Sequence, residues 1–111
     1  MASPENISAE TLHDRMQKGE HYVIIDVREP EEYRSVHAAG AVSLPLAEVD
    51  TDSVGHKLES GARACFICHS GRRATEACKR MLGDLPDALG IEGGTLAWAQ
   101  AGLPVHSGNE P

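Results

Sequence analysis

With 111 residues, the chain has room for one domain that buries roughly two-thirds of its unfolded surface, enough for a core without disulfide or metal staples. Its 41% apolar content is ordinary for a globular protein, but only four residues are aromatic (Tyr22, Tyr33, Phe66 and Trp98), so aliphatic side chains and alanine must build the core. Ten basic residues against 17 acidic ones give a net charge of −7, which argues against nucleic acid or an anionic membrane surface as partner, and no membrane segment is visible in these residues.

The opening residues Met1-Ala2-Ser3-Pro4-Glu5-Asn6 have neither the basic start nor the apolar stretch of a secretory signal. The three cysteines, Cys65, Cys68 and Cys78, are odd in number, so free thiols in a reducing cytoplasm are expected. Ser8 suits the cap of a helix that carries Ala9, Leu12 and Met16 on one face and stops before Gly19. Tyr22 to Val27 is almost continuously apolar and reads as a buried strand. Arg28-Glu29-Pro30 turns into a short helix through Tyr33, with Pro30 in its first turn. Ala41 to Leu44 is a second strand closed by Pro45. Residues 46–60 are expected to be helical in pieces, broken near Asp52-Ser53 and Gly55. Ala64 to Ile67 is a third strand, followed by a helix that runs to about Leu82. Ala88 to Ile91 is a fourth, weaker strand, and Gly93-Gly94 opens a helix from Thr95 to Ala101, ended by Gly102 and Pro104. The whole reads as a single domain with flexible tails at about 1–5 and 106–111, the latter equally a cut made before a further segment.

Strands that alternate with helices at this pitch imply a parallel sheet covered on both faces. Ligands of such sheets bind beyond the carboxyl ends of the strands. Asp26, Arg28, Cys68 and Glu92-Gly93 all fall there.

The segment Cys65-Phe66-Ile67-Cys68-His69-Ser70-Gly71-Arg72-Arg73-Ala74 carries the chemistry. An apolar strand ends at Cys68, a short turn follows, and Ala74, Ala77, Cys78, Met81 and Leu82 then recur on one helix face. Cys68 therefore sits where the unpaired N–H groups of a helix start converge, with Arg72 and Arg73 beside it. Each of these favours the thiolate. Successive N–H groups from His69 to Arg73 can curl into an anion-holding nest, with Gly71 supplying a backbone conformation that a Cβ resists. A thiolate of this kind needs no general base. Cys65 and Cys78 read as small core hydrophobes, Trp98 as packing for the last helix, and the His69 side chain as a solvated loop group.

Three stretches together resemble a known family. Asp26-Val27-Arg28-Glu29-Pro30-Glu31-Glu32-Tyr33 leads to His37-Ala38-Ala39-Gly40-Ala41-Val42 and Pro45. Cys68-His69-Ser70-Gly71-Arg72-Arg73 matches the active loop C-x-x-G-x-R. Glu92-Gly93-Gly94-Thr95-Leu96-Ala97-Trp98 precedes Ala101-Gly102-Leu103-Pro104-Val105. In this order they resemble a single-domain rhodanese, a sulfurtransferase; Val36 departs from the glycine common before the histidine. The resemblance implies a five-stranded, mostly parallel α/β sheet with helices on both faces, its fifth strand a short edge near Asn6-Ile7. It implies a persulfide on Cys68, formed from a small anionic donor such as thiosulfate and emptied by cyanide, a thiol or a sulfur-accepting protein, with no cofactor or metal. Within it Arg73 completes the loop and Arg72 faces outward to draw substrate in; one of the two arginines holds the donor's oxyanion end, a division the sequence leaves open. Asp26 and Arg28 buttress the loop, and His37 organises a turn.

Rival readings fail on spacing. A cysteine-dependent phosphatase places its arginine six residues after the nucleophile, and here that position is Ala74. Cys65-x-x-Cys68-His69 spells a haem-attachment motif, but Cys65 lies within a strand, and residues three apart there project to opposite faces. The same separation, about 10 Å in an extended strand, puts a redox disulfide out of reach. Zinc binding lacks a second pair of ligands. A non-catalytic binding module of this kind would lack the cysteine that this chain keeps.

Overall fold

The computed structural model describes residues 5–59 and 61–111; the part of the expected leading tail before Glu5 lies outside them. The elements in chain order are β1 (Glu5–Ile7), α1 (Ala9–Gln17), β2 (Tyr22–Asp26), α2 (Pro30–Ser35), β3 (His37–Ala38), β4 (Val42–Ser43), α3 (Thr51–Lys57), β5 (Arg63–Ile67), α4 (Arg72–Met81), β6 (Leu89–Ile91), α5 (Gly94–Gln100) and β7 (Val105–His106). Five strands form a parallel sheet in the order β1-β6-β5-β2-β4. The α/β fold with its short edge strand at Glu5–Ile7 is the one the resemblance implied.

Alternation along the central strands divides the core into two layers. Ile25 and Val27 join Phe66 on one face, under Ala74, Ala77, Cys78 and Met81 of α4 and Val54 of α3. Ile24, Cys65 and Ile67 point the other way, toward Leu12 of α1, Tyr33 of α2 and Trp98 of α5. Gly90 in β6 has a steric reason: a Cβ there would lie 3.0 Å from Asn6 Oδ1 and 3.6 Å from Cys78 Sγ. Side chains set the helix starts. The Ser8 hydroxyl accepts from the Thr11 N–H at 3.1 Å, Glu29 and Glu32 form a reciprocal capping box ahead of α2, and Asp50 accepts from the Ser53 N–H at 2.8 Å. The break expected near Asp52-Ser53 and Gly55 falls earlier for this reason: a 3₁₀ turn (Leu46–Glu48) ends, Asp50 caps α3, and Gly55 lies within the helix.

The segment from His106 onward differs from the flexible tail expected of it. Val105 and His106 pair antiparallel with Ala38 and His37. Ser107 Oγ donates to Ser35 O, and the Gly108 N–H to Arg34 O. The fully buried His37 anchors the turn: its ring stacks on Tyr33 at 3.8 Å, with Nδ1 2.7 Å from Tyr33 O and Nε2 2.6 Å from Glu110 O. Paired backbone groups in β3 and β7 hold the segment where composition alone suggested fraying.

Candidate active site

Cys68 is the first residue past β5, at the carboxyl edge of the sheet. Its neighbours turn sharply. Gly71 caps α4 with φ of +113°, a region that residues with a Cβ rarely occupy, and its N–H donates to Cys68 Sγ at 3.0 Å. The first turn of α4 contains no acidic residue to oppose a negative sulfur. Thr75 fixes the far side of the turn, since both its N–H and its hydroxyl donate to Gly71 O.

The other side rests on α5. The Thr95 N–H donates to Cys68 O at 2.7 Å and the Leu96 N–H to His69 O at 3.1 Å. Peptides are planar and trans, so carbonyls aimed at α5 turn the next N–H groups, those of His69 and Ser70, away from it. Gly94 makes this approach possible: a Cβ there would lie 2.3 Å from Cys68 O and 2.6 Å from His69 O. Cys68 is 1% exposed, while the side chains of His69, Ser70 and Arg72 face solvent.

The charged residues near the loop have distinct placements. Asp26 and Arg28 form a buried bidentate pair, Nη2 to Oδ2 at 2.7 Å and Nε to Oδ1 at 3.0 Å, and Nη2 also donates to Val36 O at 2.6 Å. The pair joins the end of β2 to the turn after α2. Arg73 is likewise engaged. Its two terminal nitrogens meet both oxygens of Glu32 at 2.7 and 3.0 Å, and this fork holds the Glu32 carboxyl down at about 2. The Arg73 fork is therefore turned to α2. Arg72 is exposed and without an ion-pair partner among the described residues. Cys65 and Cys78 sit in opposite core layers, and burial pushes their thiols up to about 12 and about 11.

The family model of the Rhodanese-like domain matches residues 8–101. The chain belongs to the rhodanese-like family. Among relatives of this rhodanese-like domain, "Thiosulfate sulfurtransferase 16, chloroplastic" of Arabidopsis thaliana is 30% identical over 94% of both chains. "Putative sulfur carrier protein YrkF" of Bacillus subtilis is 38% identical over 72% of this chain and 42% of its own length. A crystal structure of thiosulfate sulfurtransferase from Pseudomonas aeruginosa shares the fold with a TM-score of 0.84 at 22% identity, over 96% of this chain and 21% of that one. The chain thus spans less than two-thirds of several proteins it matches, 42% of one, 58% of another and 26% of a third. Sulfurtransferase names recur among these relatives.

Of the loop residues His69, Ser70, Gly71, Arg72 and Arg73, Gly71 is the one whose N–H reaches Cys68 Sγ among the described contacts, and Asp26 and Arg28 form a buried pair at the end of β2. Two contributors escaped the sequence reading. Glu32 had no assigned role in the sequence, although its carboxylate reaches Arg73, 41 positions later. Gly94 looked like a helix opener, although its missing Cβ is what admits the Cys68 and His69 carbonyls. The doubled glycine before a helix was the one visible signal.

Proposed function

We propose that this domain moves a sulfane sulfur from a donor such as thiosulfate to cyanide or a thiol through a persulfide on Cys68. The observation that carries this reading is the Gly71 N–H aimed at Cys68 Sγ from 3.0 Å, at a helix entrance free of acid. Donated N–H groups and the positive end of a helix stabilise negative sulfur more than neutral thiol. The Cys68 thiolate attacks the outer sulfur of thiosulfate. A new S–S bond forms, the bond to the sulfonate sulfur breaks, and sulfite leaves with the electron pair. The persulfide then carries the negative charge on its terminal sulfur. Cyanide carbon, or an acceptor thiolate, attacks that sulfur, and the Cys68 thiolate departs as leaving group. The two half-reactions balance without a cofactor and follow the ping-pong pattern of covalent catalysis.

Arg72, exposed and unpaired among the described residues, is the side chain available to draw in an anionic donor. Arg73 holds the loop through Glu32. Three free cysteines suit a reducing compartment such as the cytoplasm. Mass spectrometry after thiosulfate treatment should find one added sulfur, on Cys68. Cys68→Ser should abolish both the adduct and turnover with cyanide, while Cys65→Ser and Cys78→Ser keep most of each. Equal loss in all three variants would remove the single-nucleophile reading.

A further inference from the structure

A small donor such as thiosulfate needs only a charged pocket, yet the surface around Cys68 offers more. α4 carries Arg72, Arg73, Lys79 and Arg80 against one acid, Glu76, in a chain of net charge −7. Arg73 is taken up by Glu32, and Arg80 donates to Leu46 O at 2.7 Å. Arg72 and Lys79 have no ion-pair partner among the described residues. They stand two helical turns apart, about 10 Å along the axis, on the lining of a groove of about 490 Å³ that also holds Arg73 and the single carboxylate Glu76, with Leu46 on its other wall, so cations outnumber acid there three to one. A second observation comes from the opposite flank. Leu96, 46% exposed, is one of only two large hydrophobic side chains in the open among the described residues, and its N–H is bonded to His69 O in the loop itself. The sheet order explains the arrangement: Leu46 follows β4 and Leu96 follows β6, on either side of the β5 strand that delivers Cys68.

An exposed leucine bonded to the loop through its backbone, and a groove on the helix that the loop opens in which cations flank a leucine, are the anatomy of a protein contact, not of a small-anion site. We infer that the groove between Leu46 and α4, together with Leu96 across the loop, docks an acidic segment of a protein that bears the accepting thiol. The inference rests on the sulfur-transfer reading above and specifies its acceptor. Two free cations separated by two turns match carboxylates spread along a chain. The acid that dominates the rest of the domain repels such a segment elsewhere and steers it to α4.

The test uses the full chain, loaded with sulfur from thiosulfate, and short synthetic peptides with a central cysteine flanked by aspartates, by asparagines or by lysines. The aspartate peptide should accept sulfur with a kcat/KM about tenfold above the asparagine peptide, as expected for two exposed charge pairs. The lysine peptide should fall below both. The advantage should shrink as salt is raised. Lys79→Glu should erase it, and Lys79→Gln should reduce it, while thiosulfate–cyanide turnover stays unchanged in each. Equal acceptance by the aspartate and asparagine peptides would overturn the docking proposal and leave the persulfide chemistry standing. So would acceptance by mercaptosuccinate, a small acidic thiol, as efficient as by the aspartate peptide. Failure of thiosulfate to load Cys68 would instead overturn the transfer reading itself, and the docking proposal with it.

Discussion

The two flanks of the Cys68 loop are held in different ways. Toward α5 the grip is made of backbone: the Thr95 and Leu96 N–H groups on the Cys68 and His69 carbonyls, admitted by a glycine. Toward α2 it is one ion pair, Arg73 with Glu32, whose side chains keep 34% and 36% of their exposure. Backbone contact of this sort leaves no space for adjustment, because any added atom meets a carbonyl. A half-exposed ion pair is screened by water and salt and tolerates change. The α5 flank therefore sets the shape of the loop, and the α2 flank restrains one of its ends.

The sharpest way to break this contrast is Gly94→Ala. The new Cβ would overlap Cys68 O at 2.3 Å, on a residue with φ of +58°. Either the loop or the start of α5 must move. A loss of at least about 1–3 kcal/mol in unfolding free energy is expected from the strained backbone alone. Sulfur loading of Cys68 should fall at least tenfold in the fraction that stays folded. A variant as stable and active as the parent would show that the α5 contact does not shape the loop.

Glu32→Gln probes the weaker flank. Removing the carboxylate charge should cost up to about 1 kcal/mol at neutral pH, in line with exposed pairs. A double-mutant cycle with Arg73→Ala should return a coupling of the same size. The carboxyl is held at about 2 in the folded chain, chiefly by the Arg73 fork, against about 4.3 when unfolded. The pair's contribution is therefore whole above the unfolded value and is lost as pH falls through the folded one. Parent and Glu32→Gln should differ in denaturant stability at pH 7 and converge near pH 2. A difference that persists at that acidity would assign the effect to the capping box rather than to the ion pair.

These two flanks also differ in how far the sequence disclosed them. The strand Tyr22–Asp26, the strand into Cys68 and the apolar stripe of α4 were legible because each repeats one signal over many residues, and the glycine in the turn marked the loop. The Glu32–Arg73 fork was not: a side-chain pair between distant segments leaves no local pattern. β3 and β7 have two residues each, too few for a period to show, so His37 could be read as a turn organiser but its contact with the last residues could not. The edge strand Glu5–Ile7 came only through the family resemblance, since three residues with one buried side chain make no alternation.

The smallest effect should come from Thr95, where the two kinds of contact meet. Its N–H supports Cys68 O, yet its hydroxyl, on a residue 4% exposed, is buried with no hydrogen-bond partner among the described residues. A buried polar atom left unpaired is a cost, and exchange for an apolar group of the same shape removes that cost. Thr95→Val retains the backbone N–H and the branched shape while deleting the hydroxyl. Unfolding free energy should therefore stay level or rise by up to about 1 kcal/mol, with sulfur loading of Cys68 unchanged. A clear loss of stability would mean that the hydroxyl has a partner in solution. A selective loss of loading in a stable protein would mean that Thr95 supports the reactive sulfur through its side chain as well as its backbone, and that the α5 flank is not held by backbone alone.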